Sequence, residues 1–227
     1  MENSGSIIRY RTATELMGET NPQKIGFLKK SLLSNNLVQT WLNILHPNLS
    51  PNQIHHSKRE AYENVMGKLH EFGLSKGDIA LDERIEPFRD FLKQQVRKTT
   101  QNDFYLTLVA SFLSMNGYSE DESVHAQLLK RLDFIYPFAR KGDLSMVYIP
   151  QDTYSSFPKV FRRRYLVNPE LAWQLPTIHD INGFLHSTEI MNNTQLNHKV
   201  ETIISLILKP EYQRLQQGYG IVRTESG

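Results

Sequence analysis

Two glycine corners, Gly73-Leu74-Ser75 and Gly117-Tyr118-Ser119, sit 44 positions apart and constrain this chain more than any other feature. Each closes one apolar-periodic run and opens another. Before the first corner, Ala61, Val65, Leu69 and Phe72 recur at helical spacing, with Ser57 and Glu60 ahead of them in the pattern of a capping box. After it, Lys76-Gly77-Asp78 leads into Leu81, Ile85, Phe88 and Leu92. Before the second corner, Leu106, Val109, Ala110 and Leu113 form one face of a helix over Phe104–Met115, and Leu108, Phe112 and Met115 form another. A helix apolar on two sides is one buried on two sides. Ser119 with Glu122 reads as a second capping box, ahead of Val124, Leu128, Leu132 and Ile135 in a helix reaching about Ala139. Glycine suits both corners because it takes the left-handed conformation after a helix without a steric cost.

A separation of 44 fits a two-helix repeat unit. A fainter third copy stands at the start: Thr12 to Glu15 as a capping box, Gly18 as the stop, and Pro22 heading Ile25, Leu28 and Leu32. The plainer alternative is that any helical hairpin uses such corners. A short amphipathic helix follows at Leu37, Val38, Trp41, Leu42 and Leu45, ended by His46-Pro47, with a polar loop over 47–56. Pro87 falls inside the helix that starts near Asp78, where it removes a donor and crowds the Glu83 carbonyl, so a kink or restart is expected near Glu86. Positions 98–101 read as a polar joint. Thr177 is expected to cap a helix with Ile178, Ile181 and Leu185 on one side. A last helix carries Leu196, Val200, Ile203 and Ile207 and stops at Pro210, and Gly218-Tyr219-Gly220 reads as a turn.

Between these helices the stretch from Lys141 to Pro176 has no helical period and exceeds an ordinary connection, which marks it as functional or as a cover. It holds Tyr148, Tyr154, Phe157, Phe161, Tyr165 and Trp173, more rings than a disordered segment carries, and Leu144 to Ile149 suit a short strand. The pattern gives about eight or nine helices and no convincing sheet: an all-α chain, read as a single domain over 1–227.

Composition narrows the function classes. Hydrophobic residues make up 39% and charged residues 22%, and the formal net charge is +2. Mean hydropathy is −0.46. No apolar run approaches the roughly 20 residues a membrane span needs, and Met1 to Ile8 lack the apolar stretch of a signal peptide. A cytoplasmic location is expected. The absence of cysteine removes disulfides, thiolate nucleophiles and cysteine-ligated metals. There is no phosphate-cradling loop, HExxH, dinucleotide fingerprint or GxSxG.

Four groups remain to weigh. His55-His56 offers metal ligands or a base, but no partner motif accompanies it, and the residues read as exposed loop with His56 preceding a cap. Arg162-Arg163-Arg164, flanked by Phe161 and Tyr165, has the mixture that grips phosphates and stacks on bases; an acidic partner would suit it too, and the plainer reading is a cluster that is solvated or paired internally with Glu170 and the run Glu120-Asp121-Glu122. Asp78, Asp82, Glu83, Glu86 and Asp90 are carboxylates of the kind that in pairs do acid–base work, but their spacing places most of them on the solvent side of one helix. Tyr105, Phe112, Tyr136 and Phe138 read first as core, with Tyr105 and Phe112 the candidates for a ligand face. No catalytic residue, metal ligand or cofactor is assigned.

Several runs resemble a group of uncharacterised bacterial proteins similar to the prenyltransferase and squalene-cyclase repeat class. They are Arg9-Tyr10-Arg11-Thr12 through Leu16-Met17-Gly18-Glu19, Lys68 to Asp78, Phe157-Pro158-Lys159-Val160-Phe161-Arg162, Leu175-Pro176-Thr177-Ile178-His179-Asp180, and Gly218-Tyr219-Gly220-Ile221. The resemblance implies helical hairpins closing into an α/α toroid, as in terpenoid cyclases. The chain departs from that class in its chemistry. It has no Asp-x-Asp-Asp acid, no Asp-Asp-x-x-Asp magnesium motif and no zinc-binding cysteine, and Gln39-Thr40-Trp41 is only an echo of the Gln/Trp ties. The helix count falls short of a full ring, so an open arc is the other expectation. The resemblance carries over no catalytic residue.

The reading that follows is a helical-repeat binding or scaffold protein whose partner is a protein or an apolar small molecule, with no membrane span. The alternative is a toroid enzyme acting on an isoprenoid or glycan. A third reading is a nucleic-acid binder using Arg162–Arg164 and neighbouring rings.

Overall fold

The computed structural model describes residues 5–45, 50–98, 104–144 and 174–213, and within those residues every regular element is helical. In chain order these are α1 (Gly5–Arg11), running on through a π-helical turn (Thr12–Leu16), α2 (Pro22–Leu33), α3 (Asn36–Ile44) and the single turn α4 (Pro51–Ile54). Then come α5 (Tyr62–Glu71), α6 (Ile79–Lys98), α7 (Phe104–Leu113) with a π-helical corner (Ser114–Tyr118), and α8 (Glu122–Lys141). After the gap follow α9 (Ile178–Leu185), α10 (Thr188–Asn192), α11 (Thr194–Ile207) and the turn α12 (Pro210–Gln213).

α7 is the centre. Every residue from Leu106 to Leu113 is buried, because α5, α6, α8 and α9 all pack on it. The two apolar faces expected of this helix are both covered. α8 then buries Val124, Leu128, Leu132 and Ile135, the stripe its spacing predicts, and α11 lies along its other side. Each fully buried leucine, isoleucine or valine in such a core contributes on the order of 1.5–3 kcal/mol.

The corners form as expected and meet each other. Gly73 and Gly117 have φ of 87° and 90°, in the left-handed region. The Lys76 amide donates to the Asn116 carbonyl at 2.8 Å, and Lys76 pairs with Glu120 at 3.0 Å. Lys29, from α2, reaches the Gly73 carbonyl at 2.9 Å and the Asp78 carboxylate at 2.7 Å, so the α2 end is stitched to the first corner.

Three of the expected capping boxes do not form. The Ser57–Glu60 capping box does not form: α5 starts at Tyr62 after Ala61, with no side-chain cap, because Glu63 and Asn64 are the residues that hold the preceding loop. The Ser119–Glu122 box does not form either. The N-cap is Asp121, and its carboxylate is taken by Arg89 at 2.5 Å. Thr12 and Glu15 lie in the π-helical turn, and Glu15 pairs with Arg11 at 2.7 Å. α6 continues as one helix through Pro87, without the expected restart.

At α9 the expected start is right, and of the expected face Ile178, Ile181 and Leu185 only Ile181 packs on the core. Thr177 and Asp180 make a complete capping box. The buried residues are Asp180, Gly183 and Phe184, whereas Ile178 and Leu185 are 58% and 45% exposed. The irregular stretch lies outside the described residues over 145–173, as do most of the expected strand over 144–149 and the turn at Gly218-Tyr219-Gly220. No described helix is long and apolar enough to cross a membrane.

Candidate functional site

Three segments distant in sequence converge where α5, α7 and α9 begin. Tyr62 fixes the first. Its hydroxyl donates to the Val109 carbonyl at 3.1 Å, and its ring packs on Phe88 and Phe112 with centroids 4.5 Å and 6.1 Å away. Burial drives its pKa far above the ordinary tyrosine value, so it is a neutral anchor. Glu63 follows in the first turn of α5, its side chain 11% exposed.

The loop before α5 is tied down by that same turn. Glu63 accepts the His56 amide at 2.9 Å, and the Asn64 side-chain amide donates to the carbonyls of His56 at 2.8 Å and Lys58 at 2.6 Å. This leaves His55, just beyond α4, with its Nδ1 2.8 Å from the Glu63 carboxylate. The adjacent histidines divide the work. His56 Nδ1 accepts the Lys58 amide at 3.1 Å and organises the loop, and His55 faces the carboxylate.

His179 arrives from the other end of the chain and is positioned by its neighbour. Asp180, fully buried, accepts Arg131 Nε at 2.7 Å and Nη2 at 2.9 Å. It also accepts the Thr177 amide at 2.7 Å, and Arg131 caps the Leu175 carbonyl at 3.1 Å. One carboxylate thus closes the capping box and bolts α9 to α8. Farther along, Gly183 lies directly on Ser111 and Leu128, and its carbonyl accepts Ser114 Oγ at 2.9 Å. With α9 fixed at both ends, His179 Nε2 stands 3.8 Å from Glu63 Oε2. Burial is the main force lowering the His179 pKa below its ordinary value, with His55 adding to it and Glu63 opposing. Burial thus favours the neutral imidazole.

Rings wall the junction. Phe104 meets His55, Tyr105 and His179 at centroid distances of 5.1, 5.5 and 5.9 Å, and Phe112 meets His179 at 5.8 Å. Phe104, Tyr105 and His179 are half-buried and Phe112 is buried. The edge-on and tilted arrangements match what the aromatic quadrupole favours.

The structure brings Tyr105 and Phe112, two of the residues singled out in the sequence, to this junction. The others, Phe161, Arg162, Arg163, Arg164 and Tyr165, lie outside the described residues. The first carboxylates of this set, Asp78 just before α6 and Asp82 in its first turn, are structural. Asp78 pairs with Lys29, and Asp82 accepts the Tyr118 hydroxyl at 2.6 Å. Burial, then the hydrogen bond to Asp82, raises the Tyr118 pKa. Glu83, Glu86 and Asp90 are exposed, as their spacing predicts. Glu63, Phe104 and His179 were missed. Glu63 carries a weak signal, eight positions after His55. Nothing local in the sequence links His179 to either.

Comparison with protein-family models, with curated proteins and with solved structures gives no match to this chain in any of the three.

Proposed function

We propose that this chain is a helical binding protein that holds its ligand at the junction of His55, Phe104, Tyr105, Phe112 and His179. The observation that carries the reading is a half-buried wall of rings set around one carboxylate, built from three chain segments that are each anchored independently. A surface of this kind combines apolar area with a few placed polar groups, which is the makeup of small-molecule and partner sites. An apolar small molecule suits the wall best, and a partner protein presenting an apolar side chain suits the same surface. The arrangement of hairpins as stacked repeats in an arc or toroid belongs to this proposal. The contact between the corners at Lys76 and Asn116 supports it.

The second reading is a toroid enzyme acting on an isoprenoid or glycan. It is favoured by one observation, the Glu63 carboxylate between two imidazoles, which is a group capable of moving a proton. The nucleic-acid reading depends on Arg162–Arg164 and gains nothing from the described residues.

Farnesol titrated into the isotopically labelled chain provides the test. The His55 and His179 ring signals are expected to shift together and saturably, and Tyr105→Ala is expected to weaken the affinity about tenfold, equivalent to ~1.4 kcal/mol. Shifts confined to residues remote from Phe104, or an unchanged affinity in the variant, overturn the assignment.

A further inference from the structure

We infer that His55 Nδ1, Glu63 Oε2 and His179 Nε2 form a binding site for one divalent first-row transition ion of the zinc class. The inference deepens the reading of this junction as a ligand seat by giving the seat an ion. The three ligand atoms already lie within 4.8 Å of one another. Around an ion with bonds of about 2.0–2.1 Å, tetrahedral ligand atoms stand about 3.3 Å apart. The observed 2.8 Å between His55 Nδ1 and Glu63 Oε2 has to open slightly, and the 3.8 Å between His179 and Glu63 has to close by about half an ångström. The two imidazole nitrogens, within 4.8 Å of each other, approach by at most about 1.5 Å to reach the same spacing.

The donor chemistry selects the ion. Two imidazole nitrogens and one carboxylate suit zinc, cobalt or nickel, whereas magnesium and calcium prefer all-oxygen shells. Three protein ligands leave at least one coordination position for water or for a bound molecule, as in catalytic rather than structural zinc sites.

The surroundings also suit a metal centre. A ligating carboxylate is commonly oriented by a hydrogen bond from outside the ligand set, and the His56 amide supplies one to Glu63 at 2.9 Å. The two imidazoles are the only basic side chains paired with Glu63 among the described residues, so a carboxylate only 11% exposed has no permanently charged partner there. An ion would supply that charge. The rival explanation is a plain hydrogen bond from His55 to Glu63 with His179 stacked nearby. It accounts for the 2.8 Å contact but gives no role to the third ligand atom.

The test uses the full chain treated with a chelator and dialysed. Cobalt(II) chloride is titrated while the visible ligand-field bands are followed, and zinc chloride is titrated by calorimetry. One ion per chain is expected, with bands of four- or five-coordinate cobalt. His55→Ala and Glu63→Gln are each expected to weaken binding at least about tenfold. His198→Ala is expected to leave it unchanged, since His198 belongs to an exposed pair with Glu201 on α11. His55 is itself 47% exposed, so its variant tests the site even if a His179 variant fails to fold. Absence of saturable binding below about 1 mM, or equal affinity in His55→Ala, overturns the inference. Repeating the farnesol titration in chelator separates the two proposals. Farnesol shifts without any cobalt binding remove the ion and leave the seat, and cobalt binding without farnesol shifts leaves the ion and removes the seat.

Discussion

At the scale of single residues, Gly183 shows how closely the middle of this molecule is packed. A Cβ built there would stand 2.7 Å from Leu128 Cδ2, 2.7 Å from Ser111 Oγ and 3.2 Å from Ser111 Cα. The leucine methyl and the hydroxyl can turn aside, but the Ser111 backbone cannot, so α9 would have to lift off α7. Gly183→Ala is expected to cost on the order of 1–3 kcal/mol, read as a lower urea midpoint at unchanged slope. The same crowding accounts for Ser111 Oγ, which has no hydrogen-bond partner among the described residues. Its surroundings are shaped to admit a neighbouring backbone rather than to satisfy a hydroxyl. By contrast, Gly5, Gly26 and Gly77 have open space around them.

At the scale of elements, α9 is held by charge as much as by apolar burial. Arg131 and Asp180 are 7% and 0% exposed, and together they join α8, α9 and the Leu175 carbonyl. Burying two charges is expensive, so the pair is no proof of net stabilisation, but removing one partner leaves the other uncompensated. Arg131→Met is expected to destabilise the chain by about 3–5 kcal/mol, measured by denaturant unfolding. A weaker effect would mean that Asp180 finds enough in the Thr177 cap alone. Because α9 carries His179, the variant is also expected to disorder the histidine–carboxylate junction. This element marks the limit of pattern reading. Thr177 and Asp180 announce the start of α9 by local hydrogen bonding, and that start is legible. Its buried face is only partly legible, because an aspartate and a glycine face inward beside Phe184 while Ile178 and Leu185 face out. A hydrophobic stripe is a poor signal for a helix whose inner face, Phe184 apart, is made by an ion pair and a close backbone approach. The false capping boxes at Ser57 and Ser119 have a related cause. Their motif is local, and the side chains that hold those turns, Glu63 and Arg89, act through contacts the motif does not contain.

At the scale of the whole molecule, His70 sits where four segments meet. It lies on α5, beside the Met115 carbonyl at the π-helical corner. It also meets His186 edge-on at 5.5 Å at the end of α9, and lies near Arg11 and Glu15 at the end of α1. Burial lowers its pKa below 6.5, His186 and Arg11 lower it further, and Glu15 and the carbonyl oppose them. With the folded-state pKa below that of the unfolded chain, the unfolded chain binds the proton more readily. Stability is thus fully present above the ordinary histidine pKa and is lost as pH falls through it towards the folded value. The chain is expected to unfold at lower urea concentration at pH 5.5 than at pH 7.5, and His70→Gln is expected to reduce that difference. An equal pH dependence in the variant would show that His70 protonates without strain.

What the sequence by itself determined is the local layer. It specifies an all-α chain, the glycine corners, the buried α7, the stripe on α8 and the Thr177 start. Helical periodicity, positive-φ glycine and side-chain caps act over a few residues and leave their mark in neighbouring letters. What only the tertiary structure decided is which of those helices meet and through which atoms. His55 and Glu63 are joined by a loop folded back on its own helix, and His179 reaches them only because Arg131, Asp180 and Gly183 seat α9 against α7 and α8. Those contacts depend on the packing of side chains far apart in the chain, and no spacing along one strand of letters records them.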